Sequence, residues 1–287
     1  MTQVLASGLA MGCVYALVGL SFILIYNATH GLNFAHGEFV MLAGFILYSA
    51  VDAGAPMWLA ALATLGCMGV FGLVFQRLVF YPLRDRPFLA FVIATIGFGI
   101  FARNLALLVW GPNPLKVPSF FTATAVSLLG ATLTPEHLFI IATTAVVLVT
   151  QYLLFFHTAL GRGLRATAQN PEMAQLLGIR QNRMIAITFV LSAMLAGLAG
   201  VLVAPIFLID TELGGAVILK AFIAIIIGGF GSIPGAVLGG LIVGLLEILV
   251  AVHVSSTYKD AIAFGVFILV LLVFPRGLLG GPVEDRV

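Results

Sequence analysis

Few side chains in this sequence are equipped for chemistry, and they fall in a handful of places. The segment NATHGLNFAHGEF, residues 27 to 39, sets His30, Asn33, His36 and Glu38 between two apolar runs, where they are too polar to face lipid. A helix beginning near Ala35 directs its leading N–H groups, with Asn33 and His36, toward any polar group that enters a broken-helix site, as transporters arrange near the bilayer midplane. Glu38 adds a carboxylate that orients the loop or meets a substrate amino group, so Asn33, His36 and Glu38 are the candidate translocation-pathway residues. The plainer alternative is that all three only satisfy an interrupted backbone. Glu247 is a second isolated carboxylate, read either as a functional acid or as an interfacial or helix-capping one. Paired acids spaced for a proton relay are absent, as are GxxxxGK(S/T), HExxH, GxSxG and CxxC. No catalytic residue, cofactor or metal site is therefore assigned. Cys13 and Cys67 sit inside apolar runs and read as small hydrophobes.

The third place is the longest polar interval, HTALGRGLRATAQNPEMAQLLGIRQNRM, residues 157 to 184. It carries Arg162, Arg165, Arg180 and Arg183 between runs long enough to cross a bilayer, so the positive-inside rule makes it cytoplasmic. Asn170 suits an N-cap, Pro171 the first helical position, Glu172 the positive end of the helix dipole and Gly178 a left-handed terminus. These signals predict a helix of about two turns, Pro171 to Leu177. So short a helix needs a surface to lie against, either this protein or a soluble partner. The arginines either enforce topology or hold partner carboxylates or lipid phosphates.

The elements that must position these residues are membrane spans. The chain has 287 residues, of which 62% are hydrophobic and 8% charged, with a mean hydropathy of +1.19; soluble domains carry roughly a quarter charged residues. A net charge of +2, dispersed among loops, gives no basis for nucleic-acid binding. Apolar runs at 4 to 26, 38 to 51, 57 to 75, 88 to 110, 135 to 156, 185 to 208 and 260 to 274 read as spans, the first retained because no basic residue precedes it. Residues 217 to 251 read as two more, meeting at a turn where Gly231, Pro234 and Gly235 form a candidate hinge. Arg103, near the far end of its span, is expected to snorkel outward. Gly8 and Gly12, and Gly235, Gly239, Gly240 and Gly244, offer small faces for close helix packing. The expected fold class is all-α, a polytopic integral membrane protein with about nine transmembrane segments (eight to ten), some broken or re-entrant. The N-terminus is expected outside and the C-terminus inside. Residues 1–287 form a single domain with the cytoplasmic loop at 157–184.

Three motifs carry a resemblance: GLNFAHGEFVML at 31 to 42, LGRGLRATAQNPEMAQLLGI at 160 to 179 and IGGFGSIPGAVLGGLIVGLLE at 227 to 247. Together they resemble the branched-chain amino acid ABC transporter permease family, in its shorter type. The second motif is similar to the loop by which importer permeases dock on their ATPases, which implies docking roles for Gly161, Arg162, Arg165, Asn170, Pro171, Glu172, Ala174, Leu177 and Gly178. The resemblance further implies a second, related permease, two ABC ATPase subunits and an extracytoplasmic solute-binding protein, in a bacterial inner membrane. The implied cargo is leucine, isoleucine, valine or related amino acids, with urea or short amides as the alternative. An ion-coupled secondary transporter or channel is a further reading, needing its own ion or selectivity site but no docking helix.

Overall fold

The computed structural model describes residues 2–121, 126–128 and 131–279. Its helices follow the apolar runs: α1 (Thr2–Thr29), α2 (His36–Asp52), α3 (Met57–Phe75), α5 (Phe88–Trp110), α6 (Pro135–His157), α9 (Gln181–Val203), α10 (Leu213–Gly228), α11 (Ile233–His253) and α12 (Lys259–Val273). Six helical stretches are long and apolar enough to cross a membrane, namely α1, α3 with its extension to Leu83, α5, α6, α9 and α11. Three departures from expectation concern the ends. The third run continues past Phe75 through a π turn, Gln76–Phe80, into the single turn α4 (Tyr81–Leu83), so the basic Arg77 lies on helix and the connecting loop shrinks. The span expected to reach residue 208 stops at Val203, where the chain turns to pair Ile209 with Leu115 in an isolated bridge. The segment expected to be an external loop contains an antiparallel hairpin, β1 (Val126–Leu128) with β2 (Ala131–Leu133), and the fold is otherwise all-helical among the described residues.

The almost wholly buried α1 is the axis of the bundle and packs chiefly on α11 and α9. Small residues make this contact close. A Cβ at Gly12 would lie 2.8 Å from Leu241 Cα, and one at Gly240 would lie 2.6 Å from the Ala16 nitrogen, so the two backbones touch where the glycine faces meet. Phe39, Phe75 and Phe189 are fully buried beside them and interlock α2, α3 and α9 by ring contacts of 5.1 to 6.0 Å. By contrast, α5 buries only Phe91, Thr95, Gly99, Ala102 and Ala106, and Ile100 and Leu108 stand 61% and 85% exposed. So much outward apolar surface belongs against lipid or another apolar chain.

Loops sort to two ends. At one, Asn27 Nδ2 donates to Gly231 O at 3.2 Å, Arg84 Nη1 donates to Asn182 Oδ1 at 3.3 Å, and a cavity of about 400 Å³ lies between His30, Asp85, Thr167 and Gln175. The other end holds Trp110 Nε1, which donates to Ser49 Oγ at 2.7 Å, and the Leu115–Ile209 bridge. Besides the 15-residue α12, two apolar helices are short, α2 with 17 residues and α10 with 16. They start against each other inside the bundle, where a Cβ at Gly214 would lie 2.7 Å from Gly37 O, and run apart toward opposite ends.

Candidate functional site

The interrupted segment before α2 is tied down by its own polar side chains. Asn33 Oδ1 accepts from Ala35 N at 3.1 Å, and Asn33 Nδ2 lies 3.3 Å from His36 Nδ1. His36 Nε2 lies 2.7 Å from Ser21 Oγ and 3.2 Å from Ser192 Oγ. Since Ser21 Oγ donates to Val18 O and Ser192 Oγ to Ser21 O, the network is satisfied when Nε2 carries the imidazole proton and Nδ1 accepts from Asn33. Asn33 and His36 are buried. The helix does begin at His36 with Ala35 as its cap, but what these two residues hold is α1, α2 and α9.

Glu38, two residues and so about half a turn on, points the other way. Its Oε1 accepts from Arg103 Nη2 of α5 at 3.1 Å, and Arg103 Nη1 reaches the exposed Glu212 Oε1 at 3.4 Å. Arg103 is thus not a free snorkelling cation: it bridges a buried carboxylate and a surface one. Glu247 likewise has partners. Tyr15 OH donates to its Oε2 at 2.6 Å, while Lys220 Nζ at 2.5 Å and Lys259 Nζ at 3.1 Å contact Oε1. Asp260 completes the group at 3.2 Å from Lys220. The network joins α1, α10, α11 and α12, and Glu247 is its buried centre, which corrects the interfacial or capping reading. Sequence reasoning passed over Lys220; a lone lysine inside an apolar run was the available signal.

The polar interval 157–184 holds two helices where one was expected: α7 (Ala159–Gln169) and α8 (Pro171–Leu176). Gly161 and Gly163 both lie inside α7. In the fold both are buried, and their missing side chains let α7 pack on Leu154, Phe155 and Met184. Thr158 caps α7 by accepting from Gly161 N at 3.0 Å, and Asn170 caps α8 by accepting from Met173 N at 3.0 Å. Leu177 is the C-cap of α8, and Gly178 follows with φ of +82°. Gly178 N donates to Gln175 O at 2.9 Å and Ile179 N to Ala174 O at 3.0 Å, the two bonds of a Schellman terminus.

Ala174, expected on the outer contact surface, is 1% exposed and faces this chain. Met173, Leu176 and Leu177 are the outward residues, at 57%, 81% and 78% exposure. A six-residue helix resting on one side leaves its bulky apolar residues on the other. Arg162 and Glu172 are exposed, whereas the Arg165 guanidinium stacks 4.6 Å from the Phe156 ring centre. A Cβ at Gly178 meets nothing within 4 Å, so Gly178→Ala incurs only the left-handed backbone cost, about 1 kcal/mol. Hydrogen exchange should report it as loss of protection on the order of fivefold at Ile179 N–H, with other helices unchanged.

At the α10–α11 turn, Gly231 has φ of +85°, Ser232 caps α11 by accepting from Gly235 N at 3.1 Å, and Pro234 lies in the first turn. Leu278 N and Leu279 N donate to Ile227 O and Gly228 O, each at 2.8 Å. The turn is therefore pinned from the end of α1 and from the C-terminal segment.

Comparison with known proteins places this geometry. A family model described as "Branched-chain amino acid transport system / permease component" matches residues 4–271. The permease protein LivH of the high-affinity branched-chain amino acid transport system of Escherichia coli K12 is 34% identical, over 99% of this chain and 97% of that protein. The corresponding BraD of Pseudomonas aeruginosa is 36% identical, over the same shares. Among solved structures, PsaBC from Streptococcus pneumoniae in complex with Fab aligns with a TM-score of 0.52 at 14% identity, over 96% of this chain and 92% of that one, a likeness of fold. A match over nearly the whole length, together with membrane-length helices, makes this chain a member of the branched-chain amino acid transport permease family.

Proposed function

We propose that this chain is one permease subunit of an ATP-driven importer and that it translocates leucine, isoleucine, valine or closely related amino acids. The observation that carries the reading is the α7–α8 unit, which packs onto the bundle and turns Met173, Leu176 and Leu177 outward at one end. A permease with no nucleotide motif needs a place to receive force, and an apolar knob flanked by Glu172 and Gly178, with Arg162 exposed on the adjoining α7, supplies one. The partners are a second, related permease, two ABC ATPase subunits docked on α7–α8, and an extracytoplasmic solute-binding protein.

The end bearing α7–α8 is assigned to the cytoplasm, in a bacterial inner membrane. Its cluster of arginines supports this, and the C-terminal segment joins that end through Leu278 and Leu279. Six long helices and the shorter α2, α10 and α12 support a nine-crossing arrangement with the N-terminus outside. Glu38 is assigned to the translocation pathway, supported from behind by Asn33 and His36. Gly231, Pro234 and Gly235 are assigned to the hinge, whose movement must release the bonds from Asn27, Leu278 and Leu279.

The test is uptake into proteoliposomes that hold the chain with its co-expressed partner subunits. Leucine accumulation should require ATP on the ATPase side and should stop when the ATPases are left out. Accumulation without either, or urea uptake in place of leucine, would sink the reading.

A further inference from the structure

The polar groups around Glu38 and Arg103 are arranged for more than a structural ion pair. Glu38 Oε2 and Arg103 Nε are both buried and find no hydrogen-bond partner within the chain. The Glu38 side chain is 8% exposed, so an unused carboxylate oxygen there is costly unless something else engages it. Backbone surrounds the pair on the bundle side. A Cβ at Gly214 would lie 2.9 Å from Glu38 Oε2, one at Gly215 would lie 3.3 Å from Arg103 Nη2, and one at Gly99 would lie 3.5 Å from Glu38 Cγ. Three helical glycines thus bring backbone close against the two charged groups, where α2 and α10 begin, and close the site on that side.

Glu38 and Glu212 hold Arg103 unequally. Glu38 is buried against it at 3.1 Å, while Glu212 is 74% exposed and lies 3.4 Å away. An exposed pair of that kind contributes about 0–1 kcal/mol, so a competing carboxylate displaces it readily. Arg103 and Glu38 together present one positive and one negative group side by side. Helical spacing puts Ile96 and Ile100 on the face of α5 that carries Arg103, and Leu219 one turn beyond Gly215 on α10. Ile96, Ile100 and Leu219 are 47%, 61% and 47% exposed, an aliphatic wall next to the charges.

We propose that this is the point at which the permease itself recognises its cargo, an aliphatic amino acid zwitterion. The cargo ammonium takes Glu38 Oε2, and its carboxylate takes Arg103 in place of Glu212. Glu212 then swings into solvent and acts as a displaceable latch. Charge balances throughout, since one carboxylate replaces another on the guanidinium and the ammonium lands on an oxygen that had no partner. The proposal rests on the importer reading above and adds residues that select the cargo's backbone groups and its apolar side chain.

The test is saturation-transfer NMR on the assembled, purified importer with three probes: leucine, leucinamide, which lacks the carboxylate, and 4-methylpentanoate, which lacks the ammonium. In the wild type leucine should give by far the strongest transfer. Glu38→Gln and Arg103→Gln should each lower leucine transfer by about tenfold or more, as expected for a lost charged hydrogen bond. Discrimination should fail selectively: 4-methylpentanoate should equal leucine in Glu38→Gln, and leucinamide should equal it in Arg103→Gln. Glu212→Gln should strengthen leucine transfer, by up to about fivefold, since it removes a weak competitor.

A merely structural ion pair predicts loss of all three probes together, and that result overturns the proposal, as does leucine transfer unchanged in both glutamine variants. Should a glutamine variant fail to assemble, Glu212→Gln and the wild-type probe series decide, because equal transfer from all three probes is equally fatal. ATP-dependent leucine uptake by the wild type separates the two levels of the argument. With uptake intact and no probe selectivity, recognition at Glu38 and Arg103 falls while the importer reading stands; without uptake of any branched-chain amino acid, both fall.

Discussion

Replacing Glu247 with leucine is expected to destabilise the protein by about 3–5 kcal/mol, because it removes the centre of a buried charge network and leaves its partners behind. Lys220 is 17% exposed and Tyr15 is 2% exposed, so neither can turn fully to water when the carboxylate is gone. Asp260 retains Lys220 at 3.2 Å but is itself 57% exposed and compensates only in part. Thermal unfolding in detergent should show a drop in midpoint of several degrees. The triple variant Tyr15→Phe, Lys220→Met, Glu247→Leu should recover most of it, since well-packed apolar groups often replace a buried ion network at little cost. Equal destabilisation of the single and triple variants would mean that the helices lose packing at these positions, and that the charges are not what holds α1, α10, α11 and α12 together.

The double substitution Leu176→Asp, Leu177→Asp is expected to abolish recovery of the ATPase subunits on co-purification and to lower ATP-dependent uptake by about tenfold or more, as hot-spot residues do. Both side chains are about four-fifths exposed in the isolated chain, so the substitutions remove little packing and should leave membrane abundance unchanged. Ala174→Glu is a poorer probe, because Ala174 is buried against this chain and a glutamate there would dislodge α8 whatever its partner. Wild-type uptake and ATPase recovery in the double variant would return α7–α8 to the role of a topological anchor.

Much of this architecture was legible along the chain. Run lengths marked the helices, most closely Phe88–Trp110, and the Asn170–Pro171 start and Gly178 stop of α8 followed from capping chemistry that acts within a few residues. Local signals failed where a glycine served packing. Gly161 was legible only as part of the loop motif and proved, with Gly163, to be a contact point of α7, and the Gly8–Gly12 face could be recognised as a packing face without naming α11 as its partner. The site was legible as a list of polar residues. How they divide was not: Asn33 and His36 turn into the bundle, and Glu38 turns out to α5.

The sequence by itself determined that the chain lives in a membrane, where its helices lie and which loop carries the positive charge, since length, hydropathy and end-capping are properties of neighbouring residues. Only the tertiary structure decided that Glu38 meets Arg103, 65 residues away, that Tyr15 meets Glu247, 232 residues away, and that Ala174 faces inward while Leu176 faces out. The physical reason is the solvent. In water a helix announces its buried face by being apolar there, but in a bilayer the lipid-facing and protein-facing sides are both apolar, and association follows from close backbone packing and polar pairing between helices. Such pairings join residues remote in the chain, and periodicity within one span carries no record of which span lies beside it.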